Sequence, residues 1–339
     1  PGLDLLVNTA RLWASLGHYN SAGQFRIDGV TGPDEYSALA DNNVYTNLMA
    51  QRNLRAAAEA VRRHPEAAAA GPGADEAEAQ GWLAAADAMV VLYDEKLGVH
   101  PQAECFTEHE EWDFAAMTSE DYPLLLHYPY FDLYRKQVVK QADLVLAMLF
   151  CPDAFTSEEK ARNFAYYERR TVRDSSLSAC AQAAIAAEVG HVELAYDYLA
   201  ETALIDLDDL RSDTRSGLHI AALAGSWMAA VQGLGGLRRV NGKICFSPRL
   251  PGRLRRLAFS LAEQGRVLRV EVSAKEASYW LTAGDEPLEV GHHGESLLVT
   301  PGAPEVRPIP PVRPGPRPDQ PPGREPARRA PQDQPPGRG

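Results

Sequence analysis

The chain has 339 residues, 45% hydrophobic and 24% charged, with a formal net charge of −12. That length allows about two domains around a sizeable core, and the acidic balance excludes a general phosphate-backbone binder, which needs a basic face. Four cysteines, Cys105, Cys151, Cys180 and Cys245, stand far apart without a CxxC pair. They form neither a zinc knuckle nor a disulfide framework, and they point to a reducing, cytoplasmic setting. No apolar run approaches the ~20 residues that span a bilayer, so neither nucleic acid nor membrane is an expected partner. The chain opens on Pro1 rather than Met, and the expectation is a portion of something longer.

Up to about residue 235 the apolar residues recur with helical period. Leu54, Ala57, Ala58 and Val61 form one stripe; Trp82, Ala86, Met89 and Tyr93 form another; Val138, Ala142, Val145 and Leu149 form a third. Roughly eight helices are predicted, near 2–17, 42–64, 76–95, 131–150, 156–167, 177–190, 192–204 and 216–232. After Gly235-Gly236 the period falls to two. Leu257, Phe259 and Leu261, then Leu268, Val270 and Val272, alternate with small or charged residues. With short segments near 244–247, 278–282 and 287–290, they predict a small antiparallel sandwich over 236–300. From Pro301 to 339 the text is rich in Pro and Arg, and Asp319-Gln320-Pro321-Pro322-Gly323-Arg324 recurs as Asp333-Gln334-Pro335-Pro336-Gly337-Arg338. With almost no apolar side chains to offset ordering entropy, this tail is expected to be extended and disordered.

Four runs carry chemistry. Gly32-Pro33-Asp34-Glu35-Tyr36, followed by Asp41-Asn42-Asn43, places two carboxylates after a forced turn, with Asp41 or Asn42 available to cap the next helix. An Asp-Glu pair on a turn is ordinarily solvated. Here Tyr36, Asn42, Asn43, Tyr45 and Asn47 surround it with the groups that bind and stack on sugars. Lys140-Gln141-Ala142-Asp143 puts Lys140 and Gln141 off the apolar face of a predicted helix, where they are available to hydroxyls or an anion. Arg173-Asp174-Ser175-Ser176-Leu177-Ser178 sets two serines at a helix start, which is either an anion cradle or a simple cap. His219 lies among small residues leading to Trp227. The pair His292-His293 has no matching cysteine or acidic spacing; it reads as exposed turn histidines, and no metal site is expected.

In this order the four runs closely resemble the family 65 glycoside hydrolases, the inverting phosphorylases of maltose, trehalose, kojibiose and related α-glucosides. The resemblance covers about residues 3–300. It implies a mainly α fold, an (α/α)6 barrel over 1–235, followed by the β-sandwich of 236–300 and the tail of 301–339. Eight helices cannot close a barrel of twelve, so the barrel is incomplete. The resemblance places the remaining helices and an N-terminal β-sandwich ahead of Pro1. Apolar stripes left open would make the isolated chain unstable and inactive. The resemblance also suggests dimers.

Carried over by motif, Glu35 matches the general acid, Lys140 and Gln141 the residues holding the glucosyl unit, and Ser175, Ser176 and His219 the phosphate site. Gln102 to Phe114 resembles a further sugar-site stretch, in which glycine is expected where Cys105 stands. Arg173 occupies a position where many members have histidine, and it takes no role.

The expected reaction is phosphorolysis of an α-linked glucose disaccharide to β-glucose 1-phosphate and a free sugar. Inorganic phosphate is the co-substrate and no organic cofactor is involved. Inverting cleavage needs one acid at the leaving oxygen and a nucleophile on the opposite face. Phosphate arrives anionic and needs donors rather than a base. A protonated Glu35 calls for burial or a nearby negative charge, which bound phosphate can supply. The competing hydrolase would need a second carboxylate facing Glu35, with Glu168 or Asp174 as candidates. A non-catalytic carbohydrate-binding remnant is the alternative of another class.

Overall fold

The computed structural model describes residues 2–210, 214–240, 242–311 and 314–326. These fall into two compact units, one reaching to Asp174 and the other starting at Ser175.

The first unit is built on α1 (Gly2–Leu16), α2 (Val44–Arg63), α3 (Pro65–Ala70) and α4 (Glu76–Asp87), with β1 (His18–Tyr19) and β2 (Phe25–Arg26) as a short hairpin. Asn43, not Asp41 or Asn42, caps α2: its side chain accepts Thr46 N–H at 3.0 Å, and Arg62 and Arg63 sit at the end where cations favour the dipole. The predicted stripe Leu54, Ala57, Ala58 and Val61 is buried against Val7, Ala10, Ala79, Trp82 and Ala86. Helix α4 stops at Asp87, short of the predicted 95. Phe25 draws the next residues into an extended ribbon, donating its N–H to Ala88 O at 2.7 Å and accepting that of Val90 at 3.0 Å.

The rest of this unit comprises β3 (Glu110–Glu111), α5 (Tyr130–Leu133), β4 (Lys136–Gln137), α6 (Asp143–Phe150) and α7 (Ser157–Glu168). The single helix predicted over 131–150 is broken in two. Val138 and Val139 are buried as extended backbone, and Val139 exchanges hydrogen bonds with Arg170 and Val172 at 2.9 and 3.0 Å. β-branched residues suit that ribbon better than a helix. Lys140 and Gln141 therefore lie in a loop, not on a helix face.

In the second unit, α8 (Ser178–Glu188) is buried along nearly its whole length. Its small residues allow close approach by α9 (Val192–Leu204) and by α10 (Ile220–Met228), which continues as a wider π turn over Ala229–Leu234. Gly233 makes that approach possible, since a Cβ there would lie 3.2 Å from Ala184 Cα.

Eight strands follow: β5 (Arg238–Val240), β6 (Lys243–Phe246), β7 (Leu257–Glu263), β8 (Arg266–Val272), β9 (Glu276–Ala283), β10 (Leu288–His292), β11 (Glu295–Val299) and β12 (Glu305–Pro308). They make two four-stranded sheets, β11-β10-β6-β5 and β12-β9-β8-β7, enclosing Phe246, Leu268, Val270, Val272, Tyr279, Val290 and Val299. The pairing is antiparallel as expected except for β6 with β10, which run parallel.

The Pro/Arg-rich stretch begins differently from the expectation. Glu305–Pro308 pairs with β9, because an edge strand tolerates proline. Pro318, Pro321 and Pro326 are buried, and Gln320 donates to the Tyr198 hydroxyl at 3.0 Å. The second copy of the repeat, 333–338, lies outside the described residues.

Exposed apolar stripes occur in both units. On α1, Leu5, Leu12 and Leu16 share one exposed face; at α10, Ile220, Leu223 and Trp227 share another.

Candidate active site

The turn bearing Glu35 is closed at its base. Val30 and Ala40 exchange backbone hydrogen bonds at 3.0 and 2.8 Å, Thr31 Oγ donates to Ala38 O at 2.6 Å, and Asp41 Oδ1 accepts Gly29 N–H at 2.8 Å. Gly32 is required by crowding: a Cβ there would run into Asp143 Oδ2 and lie 2.6 Å from Asn43 Nδ2.

Asp34 and Glu35 then part company. Asp34 is fully buried. Its Oδ1 accepts the N–H groups of Lys140 at 2.8 Å and Tyr36 at 3.2 Å, and its Oδ2 accepts Gln102 Nε2–H at 2.8 Å and Ser37 Oγ–H at 3.4 Å. Burial pushes its carboxyl up to about 6 despite those donors. Asp143, also fully buried, accepts Asp34 N–H at 2.6 Å and Asn43 Nδ2–H at 2.6 Å. Burial first, and then the neighbouring Asp34, hold its carboxyl well above the ordinary range.

Glu35 points the other way. Its side chain is 59% exposed and pairs with the Lys140 ammonium, which is only 20% exposed, while Gln141 Nε2 donates to Pro33 O. The structure thus brings Glu35, Lys140 and Gln141 together across more than a hundred residues. Of the two conditions expected for a protonated Glu35, burial is not met: its side chain is largely exposed.

The polar and aromatic set expected to bind sugar is largely internal. Tyr36, Asn42, Asn43 and Asn47 are buried. Asn42 donates to Glu104 at 2.9 Å, and Asn47 donates to Asn42 Oδ1 at 3.1 Å and Val90 O at 2.8 Å. Tyr36 Oη donates to Asp174 Oδ2 at 2.6 Å, and that same oxygen accepts Leu124 N–H at 2.9 Å. These residues build the platform beneath the turn. Glu168, the other candidate base, is 1% exposed.

Within 102–114, Gln102 is the buried donor to Asp34, and Trp112 packs edge-on against Tyr128 with ring centroids 4.9 Å apart. Cys105 adopts φ +63°, a conformation that favours the glycine expected there. Arg173, also left-handed at φ +53°, is buried.

In the second unit, Ser175 and Ser176 are half-buried just ahead of α8. Neither caps it: Leu177 holds the cap position without a side-chain bond, and Ser175 Oγ accepts Leu177 N–H at 3.2 Å. His219 immediately precedes α10. Its Nδ1 lies 2.6 Å from Asp206 Oδ1, and its N–H donates to Asp206 Oδ2 at 3.0 Å, so one carboxylate fixes both ring and backbone. Of the pair His292-His293, His293 stands in the turn after β10 and is half-buried, whereas His292 is not an exposed turn residue. His292 is buried: its Nε2 donates to Pro308 O at 3.0 Å, and its Nδ1 accepts the Tyr279 hydroxyl at 2.7 Å. Among the described residues no group of His, Cys, Asp and Glu is placed to hold a metal, and no helix is long and apolar enough to cross a membrane.

Sequence reasoning missed Asp34 and Asp143 as a buried pair, Gln102 as a donor to Asp34 and Asp206 as the partner of His219. None carries a local signal, since each role depends on residues distant in the chain.

Residues 1–228 match the glycosyl hydrolase family 65 central catalytic domain and residues 237–299 that family's C-terminal domain. The chain belongs to glycosyl hydrolase family 65. It is 54% identical over 334 residues to an uncharacterized glycosyl hydrolase of Mycobacterium tuberculosis, covering 97% of this chain and 42% of the relative. It is 41% identical over 306 residues to an alpha,alpha-trehalose phosphorylase of Geobacillus stearothermophilus, covering 88% and 40%. With a maltose phosphorylase of Bacillus subtilis the identity is 32% over 306 residues, covering 88% and 39%. A solved structure described as a candidate kojibiose phosphorylase from human microbiome superposes with TM-score 0.80 at 25% identity, over 90% of this chain and 46% of that one. The chain spans about two fifths of the length of the curated relatives it matches.

Proposed function

We propose that the natural polypeptide carrying these residues is an inverting phosphorylase of an α-linked glucose disaccharide. Glu35 protonates the glycosidic oxygen while a phosphate oxygen attacks the anomeric carbon from the opposite face. The C–O bond to the leaving sugar breaks as the new one forms, giving β-glucose 1-phosphate. The hydrogen still carried by the phosphoryl group returns Glu35 to its acid form. Lys140 and Gln141 hold the glucosyl unit; Ser175, Ser176 and His219 hold phosphate, which enters as co-substrate.

The observation that carries this reading is the placement of Glu35: exposed, on a turn braced by hydrogen bonds, against Lys140 and Gln141. Bound sugar would remove its solvent, and phosphate would bring the negative charge that favours its protonated form. Support against hydrolysis comes from the two candidate bases. Asp174 Oδ2 is held by Tyr36 and Leu124, and Glu168 is withdrawn from solvent. The relatives named as trehalose and maltose phosphorylases favour the same chemistry.

The test is sugar release from trehalose, maltose and kojibiose with and without inorganic phosphate. Phosphate-dependent formation of β-glucose 1-phosphate is expected, lost by at least about 10³-fold in Glu35→Gln. Release of two monosaccharides without phosphate would overturn it.

A further inference from the structure

Two carboxylic acids that take no part in that reaction lie directly behind the donor. Asp34 and Asp143 come from segments 109 residues apart and are both fully buried, and among the described residues neither has a cationic partner. Every bond they make is to a donor on one of the two loops that form the site, or on a residue bracing them. Asp34 takes Lys140 N–H, Tyr36 N–H, Gln102 and Ser37; Asp143 takes Asp34 N–H and Asn43. With the Gln141 bond to Pro33 O, these contacts stitch turn 33–36 to loop 140–143 on both sides of Glu35.

A surface turn does not need buried carboxyls to be stable. Placing two of them without a counter-cation is unfavourable, and it is tolerated where geometry must be fixed. We infer that Asp34 and Asp143 are positioning residues of the proton-transfer step: they fix where Glu35 stands relative to Lys140 and thus to the glycosidic oxygen. This rests on Glu35 being the acid.

The two should differ in what they tolerate. In Asp34→Asn the amide oxygen still accepts Lys140 and Tyr36, while its NH2 meets Gln102, whose Oε1 is buried without a hydrogen-bond partner and which can rotate to accept. In Asp143→Asn the new NH2 faces Asn43 Nδ2. Asn43 cannot turn over without losing the Oδ1 bond that caps α2. Asp143→Asn is therefore the disruptive isostere and Asp34→Asn the mild one.

The discriminating substrate is α-glucosyl fluoride, whose leaving group departs without a proton donor. In the natural polypeptide, Glu35→Gln should lose disaccharide phosphorolysis but keep turnover of the fluoride with phosphate. Asp34→Ala and Asp143→Asn should follow the same pattern. Their disaccharide kcat falls about 10²-fold, the loss expected for a misplacement of about 1 Å, with fluoride turnover and the KM for phosphate within about threefold of the parent. Asp34→Asn should remain within about tenfold on both substrates. If Asp34→Ala does not fold, the contrast between the two asparagine variants decides. Equal loss on both substrates in the Asp34 and Asp143 variants, with the fluoride spared in Glu35→Gln, would overturn this inference and leave the acid in place. Unchanged disaccharide turnover in Asp143→Asn would also overturn it. If Glu35→Gln itself loses the fluoride reaction equally, Glu35 is not the acid and the inference falls with it.

Discussion

Asp143 Oδ1 accepts the backbone N–H of Asp34 at 2.6 Å, joining the start of α6 to the turn that carries Glu35. This contact makes two distant segments one mechanical element. It also leaves no room on the Asp143 side of Gly32.

Gly32→Ala should therefore be among the most damaging small substitutions in the first unit. The added methyl meets Asp143 and Asn43 at once, with neither free to move without breaking a bond to the turn or to the α2 cap. A loss of about 2–3 kcal/mol is expected in urea denaturation, at the upper end for overpacking. A loss below about 0.5 kcal/mol would show that the segments are not locked.

Asp34 should leave a signature in stability against pH. Its folded-state carboxyl, raised to about 6 from an ordinary 3.8, binds a proton more readily than in the unfolded chain. Its contribution is complete below about 4 and is lost as pH rises through about 6. The unfolding free energy should thus fall over that window by roughly 3 kcal/mol at most. Asp143 acts in the same direction. Asp34→Asn should flatten the slope; urea denaturation between pH 4 and 7 of both proteins checks it.

Cys105→Gly should stabilise the chain. Relief of the left-handed backbone gains about 1–2 kcal/mol, offset by roughly 0.5–1 from the freedom glycine adds to the unfolded state. A net rise of about 0.5–1 kcal/mol is expected, visible as a higher urea midpoint, with no change if the strain is illusory.

The anion-binding role proposed for the second unit is testable through His219 and Asp206. Removing a charge-assisted donor costs about 1.5–3 kcal/mol, or about 10- to 100-fold. His219→Ala should raise the KM for phosphate by that factor and leave the disaccharide KM within about twofold. Asp206→Asn, which loosens the ring, should give a smaller shift in the same direction. Steady-state kinetics with each substrate varied separately settle both.

What the sequence discloses follows how local each cause is. The α2 stripe and the period change after Gly236 are visible because helices and strands impose their own spacing. The stripe Val138, Ala142, Val145 and Leu149 misleads because it runs across a loop whose shape comes from Val139 pairing with Arg170 and Val172. Glu35, Lys140 and Gln141 stand out as motifs, but their meeting is invisible in one dimension. Asp34 reads as a solvated turn residue because its donors, Gln102 and Lys140, lie 68 and 106 residues away. The Asn and Tyr residues beside it have the right chemistry for sugar but are turned inward by the same network.

Strand β12 has a practical consequence for anyone shortening this protein for crystallisation or imaging. Cutting at Pro301, where composition alone would place the end of folded material, strips the outermost ribbon from its sheet and bares the edge of β9. Bare edges of that kind recruit ribbons from neighbouring molecules. A cut after Pro326 keeps the prolines that guard the margin and the Gln320 anchor on Tyr198, and it should yield the better-behaved sample.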